Sequence, residues 1–134
     1  MASGPFTVAQ LARIVGMSIG QVRRYQELGL LQAPRRRRGR SADVSFHAEH
    51  VQRLRFIKRA LSVGYALEDI AKLVDPYSLG TCRDVYETTM RSMQRAMEHE
   101  PRRAKALAQL AEICPRVGSR GDCPIIASLT QEFD

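Results

Sequence analysis

Thr7-Val-Ala-Gln-Leu-Ala-Arg-Ile-Val-Gly-Met-Ser-Ile-Gly-Gln-Val-Arg-Arg-Tyr25 decides the fold of the first half of the chain, because it holds two helix starts in close succession. In Thr7-Val-Ala-Gln10, and again in Ser18-Ile-Gly-Gln21, a hydroxyl residue stands three positions before a glutamine. At that spacing each side chain satisfies an otherwise free backbone amide at a helix start. Val8, Leu11, Ala12 and Val15 mark one face of the first helix, and Gly16 can end it in a left-handed conformation. Ile19, Val22 and Leu28 mark the second helix, with Gly29 as its stop. Two short helices joined by Gly16-Met17-Ser18 predict a helix-turn-helix. Its second helix then carries the candidate DNA contacts Ser18, Gln21, Arg23, Arg24 and Tyr25. Taken alone, the pattern also fits an ordinary helical hairpin.

Charge separates the two readings. The 134-residue chain has a formal net charge of +7. Residues 1–75 hold 13 Lys/Arg against 6 Asp/Glu, while residues 76–134 hold 8 against 8. A basic half joined to a neutral half suggests a polyanion-binding module attached to something with another task. Directly after the two helices come Pro34, Arg35, Arg36, Arg37, Arg38, Gly39 and Arg40, then an extended segment, Asp43-Val-Ser-Phe46. An isolated arginine run is usually a solvated loop or a localisation patch. Behind a helix-turn-helix, these arginines are better explained as phosphate clamps on a wing, each contact contributing a slope of about 0.9 in log affinity against log salt. A helix over 47–61, an interruption at Gly64 and a short helix over 67–74 complete this module, which Asp75-Pro76 closes.

Apolar residues make up 44% and charged residues 26%, and no apolar run is long enough to span a bilayer. The amino terminus lacks the positive flank and apolar stretch of a secretory signal, so a cytoplasmic protein without a membrane partner is expected. Three cysteines in a reducing compartment cannot all pair within one chain, which gives weight to metal binding or reactive thiols.

Thr81-Cys-Arg-Asp84 opens a long helical pattern that runs to about Ile113. Its apolar stripe includes Val85, Tyr86, Met90, Met93, Met97, Ala104, Leu107, Leu110 and Ala111, and suits pairing with a second copy of the same helix. Pro101 predicts a bend or break near Glu98–Pro101. Along a continuous helix the 32 positions from Cys82 to Cys114 span roughly 48 Å, too far for one ion. An antiparallel pair of copies would instead set Cys82 of one beside Cys114 of the other, with Cys123 folded back to complete a three-thiolate site. Cys82, in the first helical turn, is expected to favour the thiolate.

Other readings remain open at this point. Three cysteines can be small buried apolar residues. Zinc usually takes four ligands, and only Asp122 is at hand as a fourth, so three sulfurs favour a soft ion. Met90, Met93 and Met97 read as packing residues, and His47, His50 and His99 are too scattered to be ligands. A thiol enzyme or metal carrier would need a base beside a cysteine, and no histidine is so placed.

Gln21-Val-Arg-Arg-Tyr25, Gly29-Leu-Leu31, the wing and Leu61-Ser-Val-Gly-Tyr-Ala-Leu-Glu-Asp-Ile70 together resemble the MerR family of transcriptional regulators. The effector half is similar to its mercuric-ion-sensing branch: Thr81-Cys82, the pair Cys114 and Cys123, and Cys123-Pro-Ile-Ile-Ala-Ser-Leu129. The resemblance implies a mainly α protein, not an enzyme, with a winged helix-turn-helix at 1–75, a linker and long antiparallel coiled-coil dimerisation helix at 76–113, and a metal-binding loop with a short helix at 114–134. It also implies a homodimer on double-stranded promoter DNA that represses without metal. Hg(II), held by Cys82, Cys114 and Cys123 as effector with no organic cofactor, would distort the promoter for RNA polymerase. A regulator of another soft metal, Pb, Cd or Zn, is the nearest alternative.

Overall fold

A computed structural model describes residues 5–31, 35–36, 44–74 and 80–130, with backbone alone at 35–36 and 44–45. Packing divides the chain into two units, Met1–Arg55 and Phe56–Asp134. The pattern of the sequence places a boundary at Asp75. Within the second unit the helix Leu67–Val74 lies against the helix Cys82–Met97.

In the first unit, α1 (Val8–Val15) and α2 (Ile19–Glu27) pack on each other as the two capping signals require. Thr7 and Gln10 form a reciprocal capping box, and so do Ser18 and Gln21. Gly16 ends α1 at φ 74°, with its amide turned back to the carbonyls of Ala12 and Arg13. The wing is represented by β1 (Arg35–Arg36) and β2 (Val44–Ser45), antiparallel, with Arg35 opposite Ser45. Phe46 continues past β2 to exchange backbone hydrogen bonds with Phe6. The unit's buried residues include Phe6, Leu11, Val15, Val22, Leu30, Leu31 and Leu54. His50 is also buried, its ring edge-on to Phe46 and its Nδ1 accepting from the His47 amide at 2.9 Å. α3 (Ala48–Val63) gives its first half to this unit and its second half to the next.

The second unit adds α4 (Leu67–Val74), α5 (Cys82–Met97), α6 (Pro101–Glu112) and α7 (Pro124–Thr130), with a single 3-10 turn at Arg120–Asp122. The expected long helix is broken completely. Glu98, His99 and Glu100 reverse the chain, and α5 and α6 lie side by side as an antiparallel hairpin within one chain. The break falls where Pro101 becomes the first residue of α6. At that position its missing N–H costs nothing and its fixed φ suits the helix start. The apolar stripe of the pattern therefore closes within the hairpin: Val85, Ala104, Leu107 and Ala111 are buried. Met97 and Ile113, near its two ends, stay exposed.

Buried polar ties fix which face of α5 turns inward. The Thr89 hydroxyl gives its proton to the Val85 carbonyl at 2.9 Å, so the Tyr65 hydroxyl donates to Thr89, at 2.5 Å. Burial raises the Tyr65 pKa well above its ordinary 10.0. That phenol stays a neutral donor. Asp69 of α4 is fully buried and accepts from the hydroxyl of Ser92 and, at 3.1 Å, from Arg95, both on α5. Removing one partner from such a network leaves a buried polar group unsatisfied. Register is thereby specified as well as stability.

Gly64, between α3 and α4, adopts φ +127°, and a Cβ there would stand 3.0 Å from Cβ of Arg103 on α6. Both the left-handed backbone and the close approach require glycine. Gly64→Ala should therefore lower unfolding stability by about 1–3 kcal/mol, read from a urea or thermal transition.

Candidate functional site

Three segments of the second unit converge on one point. Thr81 caps α5, accepting from the Asp84 amide at 3.1 Å while Asp84 accepts from the Thr81 amide at 3.2 Å, so Cys82 occupies the first helical position. α6 ends at Glu112, and Cys114 follows with its amide bonded to the Ala111 carbonyl. Cys123 sits between the 3-10 turn and Pro124, where α7 begins. The loop between Cys114 and Cys123 is laid along the start of α5 by backbone pairing. Cys82 N–H donates to Gly118 O at 3.0 Å, Thr81 bridges Ser119, and Arg120 N–H donates to Gly80 O at 3.2 Å. Gly118, at φ 102°, supplies the turn that this path needs.

The outcome is a cluster of three buried thiols, Cys82, Cys114 and Cys123, whose sulfurs all lie within 4.8 Å of one another. Cys82 Sγ is 2.9 Å from Cys114 Sγ. Exposure is 1% for Cys82, 5% for Cys114 and 1% for Cys123. Three thiolates around one ion at about 2.3 Å stand roughly 4 Å apart, so small side-chain shifts bring this cluster to a single ion. No nitrogen or oxygen ligand belongs to the cluster among the described residues, so the donor set fits a soft, thiophilic ion.

Two expectations change here. The 32-residue separation does not keep Cys82 and Cys114 apart within a chain, because the reversal at Glu98–Glu100 folds the distance back on itself. Nor does the start of α5 make Cys82 a thiolate. Burial first, and then the neighbouring Cys114 and Cys123 thiols, push its pKa from an ordinary 9.0 up to about 12. Desolvation outweighs the helix dipole.

The residues expected from the sequence to contact DNA are distributed less evenly than their spacing implied. Arg23 and Arg24 are exposed on α2. Ser18 and Gln21 are exposed too, but each spends its side-chain oxygen on the cap, which leaves the hydroxyl proton and the amide NH2 to donate outward. Tyr25 is 6% exposed and its ring belongs to the core. Arg35 and Arg36 lie on β1, while Arg37, Arg38 and Arg40 fall outside the described residues. Sequence reasoning missed Arg116. Its φ of 65° and its guanidinium over the Tyr86 ring depend on where the loop comes to rest.

Residues 6–76 match the family model described as MerR HTH family regulatory protein. The chain belongs to the MerR family. As a member it is a metal-responsive transcriptional regulator and not an enzyme, and regulators of the MerR family bind promoter DNA as homodimers. A mercuric resistance operon regulatory protein of Bacillus cereus is 32% identical over 132 residues, covering 95% of this chain and 98% of that one. The HTH-type transcriptional regulator CueR of an Escherichia coli O6:H1 strain is 31% identical, covering 92% and 93%. Among solved MerR-type structures, the transcription regulator PbrR691 of Ralstonia metallidurans CH34, in complex with lead(II), is similar with a TM-score of 0.58 and 25% identity. That likeness covers 92% of this chain and 98% of PbrR691. No helix among the described residues is long and apolar enough to cross a membrane.

The raised Cys82 pKa carries two signs. Below about pH 12 a metal must displace its proton, so apparent affinity should rise about tenfold per pH unit from this thiol alone. A titration in weak buffer with an indicator dye should record the released proton. In the metal-free protein the same shift stabilises the fold below pH 9.0, and that contribution should be lost as pH climbs towards 12. Unfolding measured across that window checks it.

Proposed function

We propose that this chain is a Hg(II)-responsive regulator that binds promoter DNA as a homodimer, represses without metal and activates when Cys82, Cys114 and Cys123 hold the ion. The observation that carries the reading is a buried donor set made of sulfur alone. Bound there, Hg(II) supplies three strong bonds to thiolate. The chain's own part is to bring the start of α5, the end of α6 and the start of α7 to one point. An ion bound more tightly to that arrangement than to any other shifts the population towards it, and only this difference can do work on DNA. Activation follows if the favoured arrangement bends and untwists the promoter for RNA polymerase.

Several relatives carry mercuric names over most of their length, which supports Hg(II) as first choice. The solved lead(II) complex keeps Pb, with Cd and Zn, as a second reading. Competition titrations followed by thiolate charge-transfer absorbance decide between them. Hg(II) should displace the other ions at equal concentration; tighter binding of Pb, Cd or Zn would reassign the effector.

The clustering of the three thiols within one chain supports a site built inside each protomer, so mixing Cys82→Ala with Cys114→Ala protomers should leave no complete site in the heterodimer. One complete site per heterodimer would instead show that α6 is exchanged between protomers. On the DNA side, Arg23→Ala or Arg24→Ala should weaken promoter binding. Where the arginine contacts phosphate, each change should reduce the salt slope by about 1.

A further inference from the structure

Arg116 is the one non-glycine at positive φ among the described residues, at 65°. A side chain held there costs about 1–2 kcal/mol relative to an ordinary backbone, and Gly118, two positions on at φ 102°, shows how this loop makes a left-handed turn without that cost. A strained arginine where glycine would serve points to a task for the side chain. The surroundings supply one. The guanidinium lies 4.3 Å from the centroid of the Tyr86 ring, which stands one turn beyond Cys82 on α5. The Arg116 backbone N–H points to Cys114 Sγ at 3.4 Å. A single residue thus touches the helix that carries one ligand and the sulfur of another. Among the described residues this loop is also tied to α5 by backbone pairs at Thr81–Ser119 and around Gly80 and Gly118 and by Cys114 Sγ on the Cys82 carbonyl at 3.5 Å, and to α4 by Arg120 on the Leu73 carbonyl. Between Cys114 and Gly118, Arg116 is the side-chain tie.

We infer that Arg116 is a latch: stacked on Tyr86, it holds the Cys114–Cys123 loop closed over the three thiols and sets how fast an ion enters or leaves. The metal arm of this inference rests on the three-thiolate reading above; the latch itself does not. The cysteines are almost fully covered, so any exchange with solvent requires the loop to lift from α5. Lifting breaks the stack on Tyr86, while the Arg116 N–H to Cys114 Sγ contact travels with the loop. Local opening should therefore become more frequent in proportion to what the stack contributes, which for an exposed cation–π pair is about fivefold.

Two readouts test the latch on the full-length protein. In the metal-free chain, Arg116→Ala, which keeps the positive-φ cost and loses only the stack, should raise the rate of Cys114 alkylation by a small maleimide about fivefold, with Arg116→Lys in between and Tyr86→Leu equal to Arg116→Ala. The double variant Arg116→Ala/Tyr86→Leu should be no faster than either single one, since both remove one interaction. Release of Hg(II) to an excess of competing dithiol should accelerate by the same factor. Unchanged alkylation in Arg116→Ala, or additive effects in the double variant, would overturn the latch. Wild-type protein that gives no three-thiolate absorbance would overturn the metal reading alone, because the alkylation arm judges the latch without metal.

Discussion

Pro101 has no amide hydrogen, and the second unit is organised around the place where that deficit does least harm. Inside a helix the residue would cost a hydrogen bond and a clash of about 3 kcal/mol. At the first position of α6 it costs neither. The chain therefore ends α5 at Met97, turns over three residues and sends α6 back along it. Once the reversal exists, the two ends of the hairpin must meet, and those ends carry Cys82 and Cys114. A rod would have separated the same residues by its full length.

The hairpin alone would not set register to the precision that a metal site needs. Apolar stripes slide, because dispersion and area burial are nearly indifferent to small shifts along the helix. Thr89 with Tyr65, and Ser92 with Asp69, are not indifferent: each pair is buried and each loses its partner if α5 moves. These contacts tie α5 to the α3–α4 corner, and the pairing of Thr81 with Ser119 then ties the cysteine loop to α5. Precision at the sulfurs is inherited from polar contacts well away from them.

The chemistry of the cluster follows from its burial. An isolated cysteine at a helix start is a nucleophile in waiting; in this water-excluded corner burial, and then the two neighbouring thiols, suppress the ionisation of Cys82, whose pKa rises to about 12. At Cys82 the metal-free site is thus quiet towards weak electrophiles. A soft ion strong enough to displace protons converts it into a single anionic complex. Selectivity for such ions follows from sulfur donors with no histidine, aspartate or glutamate joining the cluster among the described residues.

The sequence by itself determined everything that depends on neighbours within about four residues. The capping boxes at Thr7, Ser18 and Thr81, the stop at Gly16, the mainly helical class and the break near Pro101 were all legible, because capping and helix propagation are satisfied inside a single turn. So was the identity of the three candidate ligands, since residue type carries donor chemistry wherever the chain puts it. What tertiary structure decided was every relation across the turn at Glu98–Glu100. A bend and a reversal have the same local signature, and only packing of α5 on α6 chooses between them. That choice put Cys82 beside Cys114 in one chain, covered the Cys82 thiol, and carried Arg116 onto Tyr86. In the first unit the same rule turned Tyr25 inward, because a pattern of charged and aromatic residues on a helix does not say which of them the core will claim.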